Sequence, residues 1–394
     1  MPNDRAVDVK SRRRLCVVAV MEADFVTGPA KNLIGFAEVC RSGDNGLPGI
    51  DLSIVGYLRG QQSKNAFLDA VRTAGIPLDV VHERRRFDSS VSEQFRRIVE
   101  ARDPDIVQTH NVKSHFFMRC SGLPSRYPWL AFHHGYTTTD LKMRCYNEVN
   151  RWSLRGARHV VTTCAAFIDR LERQGIPRDR VTVRHNSVKP ADGVDSEALR
   201  AARAIVDTDD DTPILVTIGR LSREKGHVDL LRALARLRES SDNFHALIVG
   251  EGPERARIEA ARKRLRLERH VTLAGLQHDV RPFYALATLV VMPSHSEGSP
   301  NVLLEAMIAG RPIVATRVGG VEEIVRHEDT ALLVSPRNAS AMAQALERAV
   351  ADASLRSRLA SRAQQVALTQ YSPATYRRAI VELYQQLLVW SPTR

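Results

Sequence analysis

Cysteine is scarce in this chain of 394 residues: there are five, Cys16, Cys40, Cys120, Cys145 and Cys164, with no C-x-x-C pair among them. An odd count without paired spacing excludes a disulfide framework and the common zinc motifs, and points to a reducing cytoplasm. Long apolar runs are missing as well. No segment approaches the roughly 18 apolar residues of a membrane span. Aromatic residues make up only 6% and do not interleave with the basic segments, and no nucleic-acid reading module is apparent. Internal repeats and low-complexity tracts are also lacking. The N-terminus imitates a secretory signal, with Arg12-Arg13-Arg14 ahead of LCVVAVM, but Glu22 and Asp24 end the apolar run after seven residues. No small-residue cleavage site follows, so a buried first strand behind a basic tail is expected.

What is present suits two domains of ordinary size. Apolar content is 43% and charged content 26%, normal for a globular protein. The net charge of +12 is unevenly spread: residues 1–190 carry 30 Lys+Arg against 20 Asp+Glu, and the remainder 27 against 25. A basic first half fits an anionic partner, either a membrane surface or a nucleic acid; the alternative is a solvated basic face. Arg84-Arg85-Arg86, followed by Phe87, is its densest cluster.

Short β-branched runs alternate with amphipathic spacers along the whole chain. They are LCVVAV (15–20), LSIVG (52–56), PLDVV (77–81), DIVQT (105–109), WLAF (129–132), HVVTT (159–163) and RVTV (180–183), then PILVTIG (213–219), HALIVG (245–250), VTLAG (271–275), TLVVMP (288–293) and PIVAT (312–316). Continuous apolar character predicts parallel strands covered by helices on both faces. The expected fold class is therefore α/β, with two Rossmann-like doubly wound domains facing a cleft. Residues 190–212 are polar, acidic and alanine-rich, and read as the inter-domain connection plus a surface helix. Tyr376, Ile380, Leu383, Tyr384 and Leu387 recur at helical spacing, so a C-terminal helix should pack back on the first domain. This gives a first domain of residues 1–190 with 373–394, and a second of 191–372.

Ligands of such sheets sit beyond the carboxyl ends of the strands. His110, His133-His134-Gly135, Gly219-Arg220, the GEGPER loop (250–255) and Ser294 to Glu297 all fall there. In SHSEGSPNVLLEAMIAG (294–310), Ser299 is a good N-cap and Pro300 suits the first helical position. Gly310 stops the helix, with Pro312 beyond. Glu297 then lies in the loop and Glu305 inside the helix, both bordering an N-terminus that attracts phosphate. Carboxylates beside an anion site suit an anion carrying hydroxyls, as a nucleotide sugar does. In GRLSREKG (219–226), Arg220 and Lys225 can neutralise a diphosphate without metal; taken alone, the run equally reads as a basic surface loop. GEGPER lacks the third glycine of a dinucleotide fingerprint and reads as a tight turn with Pro253 at a helix start. VTGPAKNL (26–33) puts Gly28 and Pro29 at the opening of the first helix. Asp209-Asp210-Asp211 imitates a metal-binding signature but sits before a strand, where an acidic loop is expected.

These motifs agree in order and spacing with a known family. The second half closely resembles the retaining glycosyltransferases of GT-B architecture, glycosyltransferase family four. The resemblance rests on GRLSREKG, LIVGEGPE (247–254), VVMPSHSEGSPNVLLEAMIAGRPIVATRVGGVEEIV (290–325) and ALLVSP (331–336), and the family's E-x7-E pattern falls on Glu297 and Glu305. In the first half, TGPAKN, the HHG step and RHNSV (184–188) fit more loosely. Ser187 stands where the family has glycine, and Lys189 where aspartate is frequent.

The resemblance implies roles for particular residues. Arg220 and Lys225 would grip the donor diphosphate, and Glu305 would accept hydrogen bonds from the ribose. Glu297 would lie near the donor sugar, with the amides of Gly298, Ser299 and Asn301, around Pro300, facing sugar or phosphate. Gly28 would approach the phosphate, and His134 would touch the donor sugar. Catalytic roles thus fall on His134 and Glu297, and no metal or other cofactor is expected. The implied activity is hexosyl transfer with retention, from a UDP- or GDP-linked sugar to a glycan or lipid-linked acceptor in cell-surface polysaccharide or glycolipid synthesis. Its expected place is the cytoplasm, peripheral on an anionic inner membrane face. Two rival readings come from other classes. A sugar-nucleotide epimerase on the same architecture should show extra catalytic carboxylates and a weaker E-x7-E match. A nucleic-acid-binding protein is favoured by charge alone.

Overall fold

The computed structural model describes residues 14–41, 47–60, 64–85, 88–135, 141–190, 193–206 and 208–389. The chain forms two compact units, one of Met1–Asn186 with Pro373–Arg394, the other of Ser187–Ser372.

The first unit is built on β1 (Leu15–Val20), β2 (Ile50–Arg59), β3 (Leu78–Glu83), β4 (Ile106–Thr109), β5 (Trp129–His133), β6 (His159–Thr162) and β7 (Val181–Val183). All pair in parallel, in the order β3-β2-β1-β4-β5-β6-β7. Helices cover both faces, and β1 shows why its sequence is apolar throughout. Val17 and Ala19 join the core on one side of the sheet, and Val18 and Val20 the core on the other. A strand buried on both faces has no solvent side to carry polar residues.

The second unit repeats the plan with β8 (Ile214–Ile218), β9 (His245–Val249), β10 (Val271–Gly275), β11 (Leu289–Met292), β12 (Ile313–Thr316) and β13 (Leu332–Val334). Its order is β10-β9-β8-β11-β12-β13, again parallel. Ile214 and Val216 enter one core and Leu215 the other. In each sheet the chain winds outward over three strands and then crosses back beside its first strand, so the crevice beyond β1 and β4, and beyond β8 and β11, is a topological switch point. The apolar runs located every strand except β13, which the sequence showed only within the ALLVSP motif.

The helix Pro373–Val389 buries Tyr376, Ile380, Leu383, Tyr384 and Leu387 in the first unit, as the spacing predicted. Tyr376 and Tyr384 pack edge-on to Phe36, with ring centroids 5.7 and 6.4 Å apart, and the Tyr384 hydroxyl donates to Gln108 Oε1. Residues 190–212 hold the helix expected there beside the connection. The helix Ser196–Ala204, capped by Asp195 accepting from the Ala198 amide at 3.3 Å, belongs to the second unit. Its Ala202, with Val206 beyond it, enters that unit's core. The small alanine side chains that hid an apolar stripe in the sequence are what let this helix pack closely. Asp210, in the acidic turn before β8, pairs with Arg203 at 3.0 Å.

No helix among the described residues is long and apolar enough to cross a membrane. All five cysteines are free.

Candidate functional site

At the carboxyl edge of the second sheet, three loops meet. The loop after β8 runs through Arg220 into a turn at Arg223–Lys225, and the helix His227–Ser240 starts at Gly226. It is laced to the GEGPER loop, where the Leu221 amide donates to Glu251 O and the Glu254 amide to Leu221 O, both at 2.9 Å. Pro253 lies in a turn and the following helix, Arg255–Arg264, begins two residues later. GEGPER is therefore a turn that braces the basic loop.

The third loop carries Glu297. Gly226 (φ 69°) and Gly319 (φ 46°) hold it from two sides, because a Cβ on the first would collide with the Pro293 carbonyl and on the second with the Glu297 carbonyl. The His295 amide also donates to Glu224 O at 2.7 Å, and its ring Nε2 lies 2.7 Å from Asp229 Oδ2. So fixed, Glu297 Oε1 accepts from Lys225 Nζ at 2.6 Å and from Ser294 Oγ at 2.7 Å. The carboxylate side chain is 9% exposed and the ammonium 24%, so this is a largely desolvated pair. Arg220 is exposed and makes no ion pair among the described residues.

The helix that follows is Asn301–Ile308. Its cap is Pro300, not Ser299, and Asn301 takes the first helical position. Pro300 has extended backbone (ψ 116°), and its carbonyl closes the first turn by accepting from Leu303 and Leu304 at 3.1 and 3.4 Å. Proline's ring fixes φ at a value suited to either position, so its presence located the helix start only to within one residue. The cap brings no side-chain acceptor to the first turn, and a helix head of that kind attracts anions. Gly310 ends the helix with φ 63°. Gly298, Ser299 and Asn301 are half-buried around this head. Glu305 lies one turn inside and accepts from the Tyr284 hydroxyl at 2.9 Å. Burial pushes the Tyr284 phenol well above its ordinary pKa, and the Glu305 carboxylate adds to the rise.

In the first unit, Gly28 and Pro29 open the helix Gly28–Arg41 just beyond β1. The histidines form a stack at the carboxyl ends of β4 and β5. His110 lies 4.5 Å from Phe132 and 5.7 Å from His134, with planes within 16° of parallel. Phe132 and His134, two residues apart, point to one side, while His133 is buried on the other against Phe167. Both ring nitrogens of His134 are buried without a hydrogen-bond partner among the described residues. Burial, helped by His115, pushes its pKa down to about 3. At neutral pH it is a neutral imidazole with one ring N–H, able to hydrogen-bond to a hydroxyl but not to act as an imidazolium acid.

Sequence reasoning missed two features here. His115 Nδ1 lies 2.8 Å from the Asn150 amide, which in turn lies 3.5 Å from His133 Nδ1, a relay that sets the HHG step. Residues 35 and 17 positions apart carried no local signal. The second feature is a polar hub beyond β1, β2 and β3, where Lys113 Nζ reaches Glu22 and Glu83 at 2.8 Å each and Arg59 reaches Glu83 at 2.7 Å. Of the basic cluster, Arg84 is engaged by Asp88 at 3.2 Å, and Arg86 and Phe87 lie outside the described residues. Among the described residues, no group of three or more His, Cys, Asp and Glu side chains could hold a metal ion.

Two family models match: that of the glycosyl transferases group 1 over residues 200–366, and that of the glycosyl transferase 4-like domain over residues 46–187. The chain belongs to the glycosyltransferases of GT-B fold, family-four type. Among the relatives of this glycosyltransferase, the lipopolysaccharide core biosynthesis glycosyltransferase LpsE of Rhizobium meliloti is 37% identical over 190 residues, 48% of this chain and 54% of its own. The alpha-D-kanosaminyltransferase of Streptomyces kanamyceticus is 29% identical over 265 residues, 63% of this chain and 67% of its own. The LpsE match thus spans about half the length of that relative. Among solved structures, Anabaena HepE in complex with UDP and glucose superposes with a TM-score of 0.80 at 20% identity, covering 94% of this chain and 100% of that one.

Proposed function

We propose that this chain is a retaining glycosyltransferase that moves a hexose from a UDP- or GDP-linked donor to a glycan or lipid-linked acceptor of the cell surface, working at an anionic membrane face. The observation that carries this reading is the desolvated Lys225–Glu297 pair beside the head of the Asn301–Ile308 helix, with Glu305 one turn further in. A cation, an anion-attracting helix head and two fixed carboxylates match a diphosphate flanked by two polyols.

Arg220, Lys225 and the helix head would stabilise charge on the departing diphosphate, cations already in place where negative charge develops. Glu305 would accept from the ribose diol and Glu297 from hydroxyls of the sugar, while neutral His134 is the proposed sugar-side histidine. Gly28 is proposed for the phosphate. Retention needs attack from the leaving-group face or a covalent intermediate. The name of LpsE supports a cell-surface glycan as the product class, and the ligands of HepE support a uridine donor. Because side chains would supply the cations, turnover should be independent of divalent metal.

The test is transfer of labelled sugar from UDP- and GDP-hexoses to lipid-linked acceptors, with and without excess EDTA. Product with the same anomeric configuration, formed equally in EDTA, is expected. A collapse in EDTA that magnesium restores would sink the metal-free mechanism, and epimerised donor without transfer would sink the transferase reading.

A further inference from the structure

The helices Val112–Cys120 and Leu141–Leu154 pack side by side in the first unit. Their inward faces bury Ser114, His115 and Met118 on one and Asn150, Ser153 and Leu154 on the other. Their outward faces are unusual. Phe116 is 37% exposed, Tyr146 and Val149 40%, and Trp152 45%. Single exposed apolar residues are ordinary, but a contiguous patch calls for an explanation. Here Tyr146, Val149 and Trp152 recur at i, i+3 spacing along one helix. The rings of Phe116 and Trp152 lie 6.2 Å apart, Phe116 is edge-on to Phe117 at 5.5 Å, and Phe117 stacks on Tyr57 of β2 at 6.2 Å. The Arg119 guanidinium lies over the Trp152 ring at 5.5 Å.

We propose that this aromatic face docks on an anionic lipid bilayer, with Phe116, Tyr146, Val149 and Trp152 entering the headgroup layer and Arg119 meeting lipid phosphates. It deepens the membrane-side part of the functional reading and rests on it. Tryptophan and tyrosine, apolar in body and polar at one edge, favour the membrane–water boundary. Charge complements them. Arg119 has no carboxylate partner among the described residues, whereas Arg59, Arg96, Arg97, Arg102 and Arg126 of the same unit each have one. Glu148, the acidic residue on the same helix pair, is neutralised by Arg151. A second copy of the chain is the poorer occupant, because a two-fold interface brings the same patch to both sides and sets Arg119 against a like-charged surface.

The experiment is co-sedimentation of the full chain with vesicles of phosphatidylglycerol and phosphatidylcholine, against pure phosphatidylcholine, at low and high salt. Binding to the anionic vesicles, weakened by salt, is expected. Phe116→Ser with Trp152→Ser should weaken it by more than about tenfold. Arg119→Glu should weaken it by about tenfold or more, since reversal removes one attraction and adds one repulsion. Thermal unfolding and binding of free UDP should be unchanged in these surface variants, which separates lost docking from lost fold. No binding by the unaltered chain would overturn the docking surface and the membrane reading together. Anionic binding that the double variant retains would overturn the surface alone. Self-association that the double variant abolishes, without lipid binding, would overturn it too and make the patch an interface between copies.

Discussion

Lys225 and Glu297 are bonded to each other, and that shapes what each glutamate should do. A diphosphate that needs the Lys225 ammonium has to displace the Glu297 carboxylate from it. Replacing Glu297 with alanine therefore removes a competitor for the cation, and affinity for free nucleoside diphosphate should be kept or raised. Turnover should fall if Glu297 holds the reacting sugar as proposed, because such a contact matters most in the transition state. Glu305 is different: it accepts from the neutral Tyr284 hydroxyl, which does not compete with a phosphate. Glu305→Ala should weaken free nucleoside diphosphate by roughly 10- to 150-fold, from about 1.5–3 kcal/mol for a hydrogen bond to a charged group. Calorimetry with UDP beside steady-state rates with the donor measures both, and equal losses of nucleotide affinity would refute this division. The two glutamates were legible in the sequence because their spacing and the Ser-Pro step are local. The ion pair was not, since its members are 72 residues apart and only the close approach of Gly226 and Gly319 to that loop brings them together.

The C-terminal helix makes a prediction at the scale of the element. Pro373–Val389 follows the second unit in sequence yet lies in the core of the first, where Ile380 and Tyr384 have no exposed surface. Arg377 is buried with them and donates to the Pro48 carbonyl at 3.1 Å. Ile380→Ala should cost about 2–5 kcal/mol through the cavity it leaves, and Tyr384→Phe about 1–3 kcal/mol because Gln108 loses its donor. In urea unfolding followed by a probe in the first unit, both variants should lower that unit's midpoint and leave the second unit's unchanged. A shift confined to the second unit would contradict the packing. This helix was readable because Tyr376, Ile380, Leu383, Tyr384 and Leu387 repeat at one helical period. Strands β1 to β12 were readable for a related reason, each carrying a short, mostly apolar and often β-branched run. β13 was not read as a run of its own, and the alanines of the Ser196–Ala204 helix are too small to reveal its buried stripe. What escaped the sequence in the site, the His115–Asn150–His133 relay and the Lys113 hub, is polar contact between distant segments, set by the order of strands rather than by any local period.

The whole molecule buries histidines in both units, and this sets how its stability depends on pH. Burial holds His115 and His227 down to about 4, opposed at His115 by hydrogen bonds to Asn150 and the backbone of Thr109 and Phe132 and helped at His227 by Lys225, and it holds His134 down to about 3. It holds His110 and His133 well below the ordinary value of 6.5. Each of these groups titrates near 6.5 in the unfolded chain. Between that value and the folded one, the unfolded state binds more protons, so stability rises with pH there and falls as pH is lowered. The contribution is complete above about 6.5 and is lost progressively toward about 4, each tenfold difference in a group's proton affinity between the two states being worth about 1.4 kcal/mol. Glu83 acts in a lower window. Burial raises its pKa, but Lys113 and Arg59 outweigh that and hold it below the ordinary carboxylate value of 4.5, so its stabilisation is lost only under more acid conditions. The urea midpoint should therefore fall steeply between about pH 6.5 and 4.5, before carboxylates protonate. Replacing His115 with glutamine, which keeps an amide for Asn150 but cannot take up a proton, should flatten that slope in the first unit. A midpoint that stays level down to about pH 4.5 would mean that the histidines are solvated rather than buried, and would remove the case for a neutral His134 at the sugar.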